Sequence, residues 1–240
     1  MNYEKREALW GYGRSLRGAC AVLLCVVGIA VGGLTSRVLA AGASQGAPVQ
    51  GFDSSVTTSP RHSSDDATIE GLVAAAAAGD QARLGRVVAE LKARPRPPRG
   101  DRRLARSLND RGLALWQRQR FAEAAVFFRQ AHEADSSDVE IRENLGYALL
   151  KSGKVAEAKS AILSALEIGP ERASAWGSLG LIQAKQGRHR EAVASVLTAY
   201  RFAPNPKRAL DVYVRLAATD EDPRVRAMLG DVVARLTAVQ

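Results

Sequence analysis

At 240 residues the chain has room for one large domain or two small ones, and it is rich in Ala and Arg with only 5% aromatic residues. The two cysteines, Cys20 and Cys25, share one apolar run, which excludes a disulfide scaffold or a zinc site; no metal or cofactor is expected. The formal charge of +9 rests mostly on Arg, which fits either a GC-rich coding sequence or a basic working surface.

Residues 1–17 carry Lys5, Arg6, Arg14 and Arg17 among polar and aromatic positions. Residues 18–36 follow without a charge, about 19 residues or roughly 28 Å of helix, close to the thickness of one hydrocarbon core. With the basic residues in front of this run and only Arg37 close behind, the expectation is a transmembrane signal anchor with a cytoplasmic N-terminus. The rest of the chain would then lie in the periplasm of a bacterial inner-membrane protein. The alternative is a cleaved signal peptide, with Ala41-Gly42-Ala43 as the processing site, and a soluble periplasmic product.

Residues 37–65 read as a flexible linker rich in Gly, Ser, Thr and Pro. Helical patterning returns over 66–94, where Ile69, Leu72 and Val73 precede a Gly79-Asp80 turn and then Leu84, Val87, Val88 and Leu91. This predicts a hairpin of two helices, either a degenerate repeat or an N-terminal cap. Arg-Pro-Arg-Pro-Pro-Arg at 94–99 must be extended, so 95–104 is a stiff spacer, with a PxxP ligand as the sharper alternative.

Residues 105–206 repeat one pattern every 34 positions. Leu145-Gly146 recurs as Leu179-Gly180, Gly153 as Gly187, Glu157-Ala158 as Glu191-Ala192, Ala165 as Ala199 and Pro170 as Pro204. Gly112, Glu123-Ala124 and Ala131 make an earlier copy that ends at Ser136 instead of Pro. Each copy (105–138, 139–172, 173–206) predicts two helices around a small or polar turn, because a single hairpin cannot bury its apolar face alone. Gly146 and Gly180 are expected where the helices of a hairpin nearly touch, and Ser137-x-x-Glu140 reads as a capping box. Over 207–240, Ala209 to Leu216 and Val225 to Leu236 form two further stripes that would cap the array, the first of them closing its last apolar face.

Trp176-x2-Leu179-Gly180, with Ala192-x3-Val196, Ala199 and Pro204, resembles the tetratricopeptide repeat, whose pattern is Trp-x2-Leu-Gly-x2-Tyr, Ala-x3-Phe, Ala, Pro. Gln183 stands where the family has Tyr, and the middle copy has Arg142 for Trp and Leu149 for Tyr. The resemblance implies an all-α solenoid whose first helices line a concave protein-binding groove. Projected onto this sequence, that groove presents Arg106, Asn109, Leu113, Trp116 and Gln117, then Glu140, Glu143, Asn144, Tyr147 and Lys151, then Ser174, Ser178, Leu181 and Lys185. Leu113, Tyr147 and Leu181 would form a line of apolar anchors. The family's clamp for chaperone-tail carboxylates is not expected. Asn144 fits its place, but Asn109, Leu113, Ser174 and Ser178 leave it without cations.

No Ser, Cys, His or carboxylate arrangement suggests a nucleophile or a metal site, and His62, His132 and His189 lie apart. An enzyme is not expected. The leading reading is a membrane-anchored scaffold that binds a protein or peptide during assembly of an envelope machine, of pilus or secretion type by analogy. The competing one is a binder of a polyanion (nucleic acid, anionic lipid or polysaccharide) through the Arg-rich stretch 92–111, with nucleic acid disfavoured by the expected topology.

Overall fold

The computed structural model describes residues 68–238, so the lead-in, the apolar run 18–36 and the whole linker 37–65 lie outside the described residues. Among the described residues every regular element is an α-helix, and none is long and apolar enough to cross a membrane.

Three hairpins form the array: α3 (Arg102–Gln117) with α4 (Phe121–Ala134), α5 (Val139–Lys151) with α6 (Val155–Ile168), and α7 (Ala173–Lys185) with α8 (His189–Arg201). Their glycines sit at equivalent crossings. A Cβ on Gly112 would meet Phe128 Cε1 at 2.6 Å, one on Gly146 would meet Ile162 Cδ1 at 2.7 Å, and one on Gly180 would meet Val196 Cγ2 at 2.5 Å. In every copy the contact lies on the second helix of the same hairpin, at the same offset from the glycine. The alanines facing these crossings, Ala124, Ala158 and Ala192, are fully buried.

The turns repeat as well. Gly153 and Gly187 end their first helices in the left-handed region at φ 82° and 76°, and Gln119 takes the equivalent place at φ 60°. The second helices start on Arg120, Lys154 and Arg188, none of which supplies a capping hydrogen bond. Glu123, Glu157 and Glu191 stand in the following turn, pair with those cations and favour the helix dipole.

One departure from the family pattern proves to be conservative in structure. Trp176 is buried and its Nε1 donates to the Pro170 carbonyl at 2.8 Å. One repeat earlier, Arg142 Nη2 donates to the Ser136 carbonyl at 2.8 Å, while Nη1 reaches the carbonyl and hydroxyl of Ser164. Arg in place of Trp thus keeps the same bond to the loop ahead of it. The capping box expected at Ser137 is displaced by one residue. Asp138 caps α5 by accepting from Glu140 N and Ile141 N, because Asp135 draws the Ser137 hydroxyl back into the loop at 2.6 Å.

The N-terminal hairpin, α1 (Ile69–Ala78) and α2 (Gln81–Ala93), forms around Gly79 at φ 69° but does not stack ahead of α3. Instead α1 packs on α8 and α6, and α2 packs on α6. Leu72, Leu84, Val87 and Leu91 enter the main core there. The array itself explains the choice. Leu145 and Leu179 are buried, whereas their counterpart in α3 is Arg111, which is exposed, so α3 offers a polar face to anything that would precede it. Residues 95–100 return as an extended strap, with Lys92 and Arg94 paired to Glu171 and Glu167 on the way. The strap ends where Asp101 N donates to Ala134 O at 2.8 Å, against which Gly100 has no room for a side chain.

At the other end, α9 (Pro206–Thr219) and α10 (Pro223–Thr237) begin on Asn205 and Asp222 caps with proline in the first turn. The closing helix differs from expectation. It is α10 that packs on both α7 and α8, through Val225, Met228, Leu229 and Val232, while α9 rests mainly on α10 and leaves Val214 half exposed.

Candidate functional site

The first helices α3, α5 and α7 carry the residues that the sequence points to, and the structure sorts them into three groups. Asn109, Glu143, Asn144, Tyr147 and Ser178 are buried. Arg106, Leu113, Trp116, Glu140, Ser174, Leu181 and Lys185 are partly exposed, and Gln117 and Lys151 are exposed.

The buried polar groups are held by one another across repeats. Asn144 Nδ2 donates to Asn109 Oδ1 at 2.8 Å. Glu143 accepts from Arg172 at 2.8 and 2.6 Å and from the Ser174 hydroxyl at 2.8 Å. Arg106 bridges Asp138 at 2.6 Å and Glu140 at 3.3 Å. Burial raises the Glu140 carboxyl above its ordinary pKa, against the pull of Arg106. Lys185 reaches across to Asp222 on the final hairpin at 3.4 Å.

Of the line Leu113, Tyr147, Leu181, the outer two stay partly open, whereas Tyr147 is 5% exposed. Its ring packs 5.0 Å from Trp116, and Lys151 Nζ sits 5.8 Å from its centroid. Trp116 in turn packs edge-on to Phe121 at 4.6 Å. Of the expected groove, the apolar residues that stay partly open are therefore Leu113, Trp116 and Leu181, while Gln117, Lys151 and Lys185 supply exposed or partly exposed polar groups on the same helices.

Sequence reasoning missed Asp138, Arg172 and Asp222, which tie the first helices to the loops ahead of them. A signal was present: Asp138 and Arg172 occupy the same place in successive repeats, each just before a first helix. Among the described residues no group of three or more His, Cys, Asp or Glu could hold a metal ion.

Three nested helical hairpins of period 34, locked by glycine at each crossing, define an all-α solenoid of the tetratricopeptide type. Residues 143–207 match the family model of the tetratricopeptide repeat. No curated protein matches the chain. Among solved structures, the chain is similar to the Yersinia enterocolitica type III secretion chaperone SycD in complex with a peptide of the translocator YopD (15% identity, TM-score 0.45, 54% of this chain and 92% of that one). It is also similar to the second domain of this type in human RPAP3 in complex with an HSP70 peptide (22%, 0.44, 49% and 98%). A third is Pseudomonas aeruginosa PilF (22%, 0.39, 72% and 78%).

Proposed function

We propose that this chain is a membrane-anchored adaptor whose first helices hold an extended or helical segment of a partner protein. The observation that carries the reading is that Leu113, Trp116 and Leu181 stay partly open on the first helices α3 and α7, with the polar Gln117, Lys151 and Lys185 on α3, α5 and α7. The N-terminal hairpin leaves that side alone and spends its own apolar face on α6 and α8. Apolar anchors with polar flanks suit a peptide, and cross-repeat ties such as Asn144 to Asn109 and Arg172 to Glu143 hold the first helices in place, which favours binding without rearrangement of the frame. Anchoring through residues 18–36 and a place in envelope assembly are the finer part of the proposal. They rest on the charge pattern around the apolar run and on the linker that follows it.

Site-specific photo-crosslinking in envelope preparations tests the adaptor reading. A crosslinker at Leu113 or Leu181 is expected to trap the same discrete partner, and one at Ala218 is expected to trap none. Equal trapping from all three sites, or none from Leu113 and Leu181, removes the reading. A reporter fused after residue 60 tests topology, with activity expected only for an extracytoplasmic reporter. A second reading has one observation in its favour. Arg96, Arg99, Arg102 and Arg103 are exposed along the strap and the start of α3 without an ion pair among the described residues. It predicts retention on heparin near 50 mM salt that these arginines control.

A further inference from the structure

A cleft of about 380 Å³ opens on the opposite side of the array, between the C-terminal end of α1, the outward face of α8 and the last turn of α10. Its floor is apolar, made by Ala77, Val193, Ala194 and Leu197. Its rim carries Arg190 and Arg201 from α8 and Arg235 from α10, and no Asp or Glu lines it. All three guanidinium groups are on exposed residues, and none has an ion pair among the described residues. The nearby carboxylates are already engaged: Asp231 with His189 at 2.8 Å and Glu191 with Arg188 at 3.1 Å.

We propose that this cleft is a second docking surface, one that takes an acidic peptide segment with apolar side chains between its carboxylates. Arg190 and Arg201 stand three helical turns apart on one face, a rise of roughly 16 Å at 1.5 Å per residue. An extended peptide covers that span in about five residues at 3.3 Å each. Acidic side chains near both ends of such a segment reach both arginines, and the residues between them lie over Val193 and Leu197. Arginine rather than lysine at all three places gives planar, bidentate donors matched to carboxylates. Charge complementarity therefore selects the occupant's sign, and the apolar floor selects a peptide over a nucleic acid, since the one ring on its lining, His189, is already held by Asp231 and no Phe, Tyr or Trp lines the cleft to stack a base. The site is independent of the first-helix patch, so the two surfaces fit two different partners at once.

The test uses the full-length chain in nonionic detergent micelles and a fluorescein-labelled decapeptide of repeating Glu-Glu-Leu, read by anisotropy at 50 mM salt. The triple variant R190Q/R201Q/R235Q is expected to weaken binding at least tenfold, and the single Arg201→Gln about threefold. A Gln-for-Glu peptide is expected not to bind, and 300 mM salt should weaken the wild-type complex several-fold. A second triple, R111Q/R118Q/R215Q, removes the same charge at exposed positions outside the cleft and should stay within twofold of wild type. Binding unchanged by the cleft triple overturns the proposal. Equal losses from both triples, or competition by a single-stranded oligonucleotide of equal charge, also overturn it, by showing a diffuse polyanion effect. Should the triple variant lose helicity by circular dichroism, Arg201→Gln alone decides, and no loss of affinity there ends the idea.

Discussion

Replacing Gln119 by Gly should make the protein more stable, and the repeat itself supplies the control. Gln119, Gly153 and Gly187 occupy the same turn in successive hairpins, all with positive φ, and only the first carries a side chain. A Cβ at Gly153 or Gly187 would find nothing within 4 Å, so glycine there answers a backbone requirement and not a packing one. A non-glycine residue held left-handed costs about 1–2 kcal/mol, offset by the roughly 0.5–1 kcal/mol that glycine loses in chain entropy. The net gain for Gln119→Gly is then about 0.5–1 kcal/mol, and the reverse change Gly153→Gln should cost about as much. For a folded unit of this size that is a rise in Tm of about 2 °C, measurable by circular dichroism at 222 nm on the full chain in micelles. A drop in Tm for Gln119→Gly, or a rise for Gly153→Gln, would refute the argument that backbone conformation alone sets residue choice at these turns.

Three further expectations concern stability. Gly180→Ala should cost about 1–3 kcal/mol by overpacking and Gly146→Ala less. The β-branched Val196 and the Ala192 carbonyl give way poorly at Gly180, whereas the mobile end of Ile162 faces Gly146. Chemical denaturation ranks the two. Arg142→Met, which strands the Ser136 and Ser164 acceptors, should lose about 1–3 kcal/mol. Arg142→Trp should recover part of that loss by restoring a ring N–H donor. Asp222 caps α10 and is held well below the usual carboxylate range, first by its hydrogen bonds with the Arg224 side chain. Because the folded pKa is depressed, its contribution is complete above the ordinary Asp pKa and is lost as pH falls through the folded value. Asp222→Ala should cost about 1 kcal/mol at pH 7. The gap to wild type should begin to narrow as pH falls below the ordinary Asp pKa in acid titrations of the melting temperature.

The period of the array was legible because glycine and alanine mark each crossing and positive-φ turns mark each hairpin, and these are local demands on single residues. Where the N-terminal hairpin docks was not. Its α1 is mostly alanine, which helps helix formation but carries little shape with which to choose a partner. The decisive clue lay in another element, in the Arg111 that stands where Leu145 and Leu179 are buried. The choice of α10 over α9 as closing helix was hidden for a related reason: both stripes are apolar enough, and only three-dimensional fit separates them. The partial burial of the expected groove escaped notice because its polar groups pair across repeats, as Asn144 does with Asn109 and Arg172 with Glu143. Such pairs join residues some thirty positions apart, and no helical projection brings them together. Tyr147 shows the same limit, since its exposure is decided by Trp116 one repeat away.

Because α1 and α10 both press on α8, the first and last helices among the described residues meet on one helix of the last repeat. An open stack of hairpins can fray from either tip while its middle survives. Here, peeling α1 away from α8 would loosen the support of α10 as well. The row of repeats is knotted energetically into a ring, and a partner that grips one end would be felt at the other.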